Sequence, residues 1–219
     1  MAVAQDASST RGVGALLLLS TAAQILLLAL HPETSAHDFA GMMREEAAGQ
    51  TMDAIVHGGF VVLLGIQLVC YAILSARLGL AHTATVAALI FFAIGSAFLM
   101  ASVTIDGLIL PRVAGHYAHA TPEMQNSVRA VFAFGAAAIG WLMPIGVFFQ
   151  GAGIASWGLR LMHVARQSGG AALLLGVGIA AMPVVALVGA NPALIMFALL
   201  GTALWALIGG VWLMRRLPA

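Results

Sequence analysis

Asp53 and His57 stand four residues apart, so on a helix they share one face. A second carboxylate, Asp106, sits in an apolar run that continues as Gly107-Leu108-Ile109-Leu110. An acid at the centre of a membrane helix costs about 3 kcal/mol, less near its end. Such a residue turns toward the bundle or a wet cavity and takes a partner. His116 and His119 follow in a His-x-x-His spacing, and Arg129 opens the next apolar run.

Neutral imidazole and carboxylate together suit Zn²⁺ or a similar divalent ion, and the same groups can relay protons. The functional reading takes His57, Asp106, His116 and His119 as the ligand set, with Asp53 and Arg129 in support. Met42, Met43 and Met52 lie beside these residues in sequence and would extend the choice of ion to Cu(I). A structural reading competes: Asp106 pairs with Arg129, Asp53 and His57 form a local hydrogen bond, and the loop histidines are solvated. Farther along, Gln24, Gln67 and Gln150 lie near the middle of apolar segments. They would line a substrate path if they faced one cavity, or simply bond across helices at about 0.6 kcal/mol each.

The elements that must hold these residues follow from composition. The chain is 62% hydrophobic and 8% charged, whereas a soluble domain carries about a quarter charged residues. A bilayer core about 30 Å thick needs roughly 20 apolar residues of helix. Six stretches qualify, at about 12–30, 54–76, 83–110, 130–157, 171–189 and 193–214. They are apolar on every face, and lipid requires each backbone group to be satisfied within the segment, so helices rather than strands are expected. The sequence thus predicts an all-α, polytopic membrane bundle of six helices forming one domain over residues 1–219.

Basic residues collect in loops that stay in the cytoplasm. Arg11, Arg77, Arg160, Arg166, Arg215 and Arg216 fall in alternate gaps. The other gaps hold Arg44, Arg112 and Arg129 with Glu33, Asp38, Glu45, Glu46, Asp53, Asp106 and Glu123. That parity places both termini in the cytoplasm of a bacterial-type cell membrane and puts five of the seven histidines, His31, His37, His57, His116 and His119, on the outer side. Arg11 before an apolar run, with Thr34-Ser35-Ala36 after it, also loosely fits a signal peptide, although the run exceeds the usual signal core.

Ser35-Ala36-His37-Asp38 reads as a capping box opening a short amphipathic helix over about 36–48 on the outer surface. Thr121-Pro122-Glu123 reads as a helix start. If the second and third spans turn near Gly79, His57 comes level with about Ala101. A faint repeat relates Gln67 and Arg77 to Gln150 and Arg160, each pair ten residues apart. Arginine at the cytoplasmic end of a span is expected without duplication. Small residues at Ala93, Ala97 and Ala101, and at Ala136 and Gly140, mark close helix approach, while Trp157 and Trp212 mark membrane interfaces.

The lone Cys70 allows no Cys-based metal site, and the absence of Lys and of any basic run removes nucleic acid as a partner. No phosphate-binding loop, nucleophile elbow or His-Glu-x-x-His motif occurs. The leading reading is an outward-facing His/Asp site for a metal ion, Zn or Cu, or for a proton-coupled small solute. The lipid bilayer is one partner. A membrane subunit or scaffold that docks a second protein or another copy, and a metal-dependent intramembrane hydrolase, stand as alternatives.

Overall fold

The computed structural model describes residues 7–32, 35–189, 191 and 193–214. Glu33, Thr34, Arg215 and Arg216, used above for orientation and cleavage, lie outside the described residues. The described chain is helical throughout, with α1 at Ala7–Ala29, α2 at Phe39–Leu78 and α3 at Thr83–Thr104. One π turn, Ile105–Ile109, leads from α3 into α4 at Leu110–Tyr117. Then come α5 at Pro122–Leu161, α6 at Arg166–Gly189 and α7 at Ala193–Met214. Six of these helical rods are long and apolar enough to cross a membrane, α3 and α4 counting as one. Leu174 is 76% and Phe134 72% exposed, so the apolar exterior is suited to lipid.

Two expectations need correction. The segment 36–48 is no separate surface helix, because α2 runs unbroken for 40 residues from Phe39. Its N-cap is Asp38, whose carboxylate accepts from Gly41 N–H at 2.7 Å, while Ser35 gives both its hydroxyl and its N–H to Glu45. The apolar face expected to meet lipid, Phe39, Met42, Met43 and Ala47, packs instead with Leu110, Ala114, Val128 and Phe132. Helix α5 is also 40 residues long and starts as expected, with Thr121 as N-cap and Pro122 in the first turn. Forty residues of helix span about 60 Å, twice an apolar bilayer core, so α2 and α5 reach well beyond it and share a small core with α4 at that end.

The second correction concerns packing. Ala97, Ala101, Ala136 and Gly140 are exposed. Close approach occurs on other faces: Gly95 lies against the backbone of Gly146 where α3 meets α5, and Gly151 lies against Gly176 and Ala180 where α5 meets α6. A Cβ at any of these would strike backbone, which cannot move aside as a flexible side chain can. Trp157 is no interfacial residue either. It is fully buried, donates to Ser75 Oγ at 2.9 Å and stacks with Tyr71 and Trp205.

At the opposite end from the small core, Arg160 donates to the carbonyl of Leu78 at 2.8 Å and Arg77 to that of Leu213 at 3.3 Å. These are the last carbonyls of helices, which lack intrahelical partners, so both arginines tie helix ends together. Gly79, at φ 90°, ends α2 in a conformation that costs a side-chain-bearing residue energy.

The repeat is stronger in the structure than in the sequence. Phe39, Leu78 and Thr83 bound α2 and the start of α3, and Pro122, Leu161 and Arg166 bound α5 and the start of α6 at one constant offset. The same offset carries Gln67 to Gln150. It carries His57 to Gly140 and Asp106 to Gly189, so the histidine–carboxylate group exists in one hairpin only.

Candidate metal centre

Three elements converge below the small core. Helix α1 stops at Ala29, and Pro32 keeps the chain from continuing as helix, which leaves His31 beside α2. His57 lies on α2, well inside the helix and 3% exposed. Asp106 lies in the π turn. Pro111 has no N–H for the carbonyl four residues back, Gly107, and its ring would collide with it. A widened turn ending just before Pro111 relieves both problems, and such turns often mark functional sites.

Gly107 seats the π turn directly on His57, since a Cβ there would overlap Cγ and Nδ1 of the imidazole. His57 Nε2 stands 3.3 Å from Asp106 Oδ2 and 3.1 Å from His31 Nε2. Within the group of His31, His57 and Asp106, no two ligand atoms are more than 4.8 Å apart. No other cluster of three His, Cys, Asp or Glu with this property occurs among the described residues.

The hydrogen bonds fix the tautomers. His57 Nδ1 lies 3.0 Å from the carbonyl of Asp53, and His31 Nδ1 lies 2.7 Å from the carbonyl of Pro32. A carbonyl only accepts, so each Nδ1 carries the proton and, in the neutral ring, each Nε2 presents a lone pair. Two lone pairs and a carboxylate oxygen then face one another at contact distance. The arrangement is repulsive unless a cation, either a metal ion or an added proton, lies between them. An N–H to carbonyl bond is also the usual outer contact that orients a metal-binding histidine. Tetrahedral ligands on arms of 2.0–2.1 Å are separated by about 3.3 Å, which two of the separations already match. The longest, within 4.8 Å, must close by up to about 1.5 Å, and Asp106, with its side chain 38% exposed, has room to turn.

The other sequence candidates fall elsewhere. His116 and His119 are exposed and lie outside the group. The rod continues past Asp106 through α4, and ten residues of helix carry His116 about 15 Å beyond it. The ion pair expected between Asp106 and Arg129 is not formed: Arg129 covers the ring of Phe39 at 4.6 Å and bonds Asn126, and Asp106 faces His57. Asp53 meets His57 mainly through its backbone carbonyl, its carboxylate standing 3.7 Å away. Met43 is fully buried in the small core with Met42 packed against it, and Met52 is exposed, so none of these three thioethers joins the group, whose members offer two nitrogens and one oxygen.

Sequence reasoning does not reach His31 as a neighbour of His57, because hairpin reckoning from Gly79 covers only α2 and α3. A signal existed. The first span ends near Leu30 and the second begins near Ala54, and two span ends on one side of a membrane lie at one depth. His57 is also level with a later residue than Ala101, because the turn is centred between residues 80 and 81 rather than at Gly79.

Gln24, Gln67 and Gln150 line one cavity together with His31, His57 and Asp106. Gln67 donates to Gln24 Oε1 at 2.7 Å and to Thr21 Oγ1 at 3.2 Å, and Gln150 donates to Ser96 Oγ at 3.3 Å. Comparison with protein-family models, with curated proteins and with solved structures gives no match to this chain.

Proposed function

We propose that this multi-pass membrane protein binds a divalent transition-metal ion through His31 Nε2, His57 Nε2 and Asp106, on the outer face of a cytoplasmic membrane with both termini inside. The observation that carries the reading is the pair of bare Nε2 atoms 3.1 Å apart with a carboxylate oxygen 3.3 Å from one of them, each ring locked by its own Nδ1–H. Two imidazole nitrogens and one carboxylate oxygen favour Zn²⁺. Three protein ligands leave a fourth position open, and the adjoining cavity supplies it.

Metal analysis of the purified chain tests this directly. About one Zn per chain is expected, falling toward zero in His31→Ala, His57→Ala and Asp106→Asn. Folded native protein that neither carries nor takes up Zn, Cu or Ni refutes the reading. Orientation is tested separately by impermeant thiol labelling of intact cells carrying His119→Cys or Leu80→Cys: reaction at the first and protection at the second is expected, and the reverse overturns the topology.

A second reading has its own support. The cavity joins the group to Gln24, Gln67 and Gln150, as a proton-coupled solute carrier would require. The cation between the imidazoles is then a proton, and uptake driven by a pH gradient in liposomes made with metal-free protein favours it.

A further inference from the structure

The cavity extends far past the ligands. It encloses about 560 Å³, within the usual range of small-molecule sites. His57 at its mouth and Gln67 at its floor are ten residues apart on α2, or about 15 Å. Between these ends the wall is apolar, formed by Phe60, Leu64, Leu99 and Val103 among others. Beyond the floor, Tyr71, Phe92, Trp157 and Trp205 stack on one another and close the bundle. The space is a chamber with a floor.

The floor has unused hydrogen-bonding capacity. Gln67 and Gln150 are only 4% and 2% exposed, and both spend their amide N–H groups sideways, on Gln24 and Thr21 and on Ser96. Their Oε1 atoms accept no hydrogen bond among the described residues, although both side chains line the chamber. An acceptor that opens onto the chamber with no protein donor is left to a ligand or to water. Two of them, on the paired positions of the two hairpins, call for a ligand group that donates.

We propose that the chamber holds an elongated, lipid-soluble molecule that is polar at both ends. A hydroxyl or amide N–H at one end donates to Gln67 or Gln150 Oε1, an apolar body lies along the wall, and an oxygen function at the other end reaches the mouth. The proposal rests on the metal reading for its contact at the mouth alone.

The test uses the full chain in nanodiscs with two photoreactive probes bearing a mid-chain diazirine, 12-hydroxydodecanoic acid and dodecanoic acid, and counts bound metal in the same samples. Crosslinks at Leu64, Leu99 or Val103 are expected, with roughly fivefold preference for the hydroxy acid, the worth of about one hydrogen bond. Ala203→Phe, which adds bulk to the chamber from an apolar lining position, should abolish these crosslinks. Gln67→Leu with Gln150→Leu should abolish the preference. Crosslinks confined to lipid-facing residues such as Leu174, or equal binding of both probes to native protein, overturn the proposal and mean that the floor is satisfied by water. Bound metal without chamber crosslinks overturns the chamber and leaves the metal reading intact. Hydroxy-selective crosslinks in metal-free native protein support the chamber and remove the metal reading.

Discussion

Gly107→Ala separates the position of a ligand from its chemistry. It removes no ligand atom and adds one methyl group, which would overlap Cγ and Nδ1 of His57. The ring cannot yield freely, because Nδ1 is held 3.0 Å from the Asp53 carbonyl and His57 is only 3% exposed. Restoring ordinary contact requires ring or π turn to move on the order of 1 Å, while a functional constellation tolerates about 0.5 Å. Disturbing a group that orients a metal ligand costs roughly 10–100-fold in affinity, and overpacking costs about 1–3 kcal/mol of stability. The assay is competition for Zn²⁺ against a chromophoric chelator in nanodiscs, with thermal unfolding followed in parallel. Gly58→Ala is the matched control: it adjoins His57 on α2, and a Cβ there meets nothing within 4 Å. That variant should bind as native protein does and gain up to about 1 kcal/mol from the lost glycine entropy. Folded Gly107→Ala protein that binds Zn²⁺ within about twofold of native would refute the reasoning, because ligand identity without placement would then suffice.

His116→Ala and His119→Ala should leave Zn²⁺ affinity within about twofold of native, whereas His31→Ala should lose at least tenfold; the reverse ranking would return the ligand set to the one read from sequence. Glu45 is held below the usual carboxylate range by the backbone N–H groups of Ser35 and Ala36, then by the Ser35 hydroxyl, with His37 adding a smaller attraction. Its lowered value means that the contact is fully present above about pH 4.3, the free carboxylate's range, and is lost as pH falls through the folded value. A spin label at Ala36→Cys should therefore become mobile only in that acid window and be mobile at every pH in Glu45→Gln. A mobility that is already high at neutral pH would contradict the contact. Trp157→Phe removes the donor to Ser75 Oγ, worth about 1 kcal/mol, and adds the cost of the cavity left by the smaller ring, read as a lower unfolding midpoint that a second change, Ser75→Ala, deepens little. Acid should also release the metal, since protons compete for the imidazole lone pairs, and Zn²⁺ affinity that does not weaken on acidification would argue against histidine ligation.

The sequence by itself determined the class of the molecule and the number of its membrane helices. Apolar length and composition are properties of each segment alone, and a helix satisfies its backbone within that segment, so six spans were legible without knowing any neighbour. Helix starts were partly legible for the same reason: the Thr121-Pro122 signature stands as read, whereas the cap at Ser35 moved to Asp38 because Glu45, ten residues away, captured Ser35. Asp53, His57 and Asp106 could be recognised as a group because burying carboxylates in an apolar segment demands partners. What only the tertiary structure decided was who those partners are. His31, rather than His116 or His119, joins His57 because one helix end stops at that depth while the other rod continues past it through the π turn. Gln67 and Gln150 face one chamber because hairpins α2–α3 and α5–α6 share a register that composition cannot fix, and Gln24 joins them from α1 by its bond to Gln67. Depth along an isolated helix is written in its sequence. Azimuth about its axis, and therefore convergence, is settled only when glycines such as Gly95, Gly107 and Gly151 let neighbouring elements close on one another.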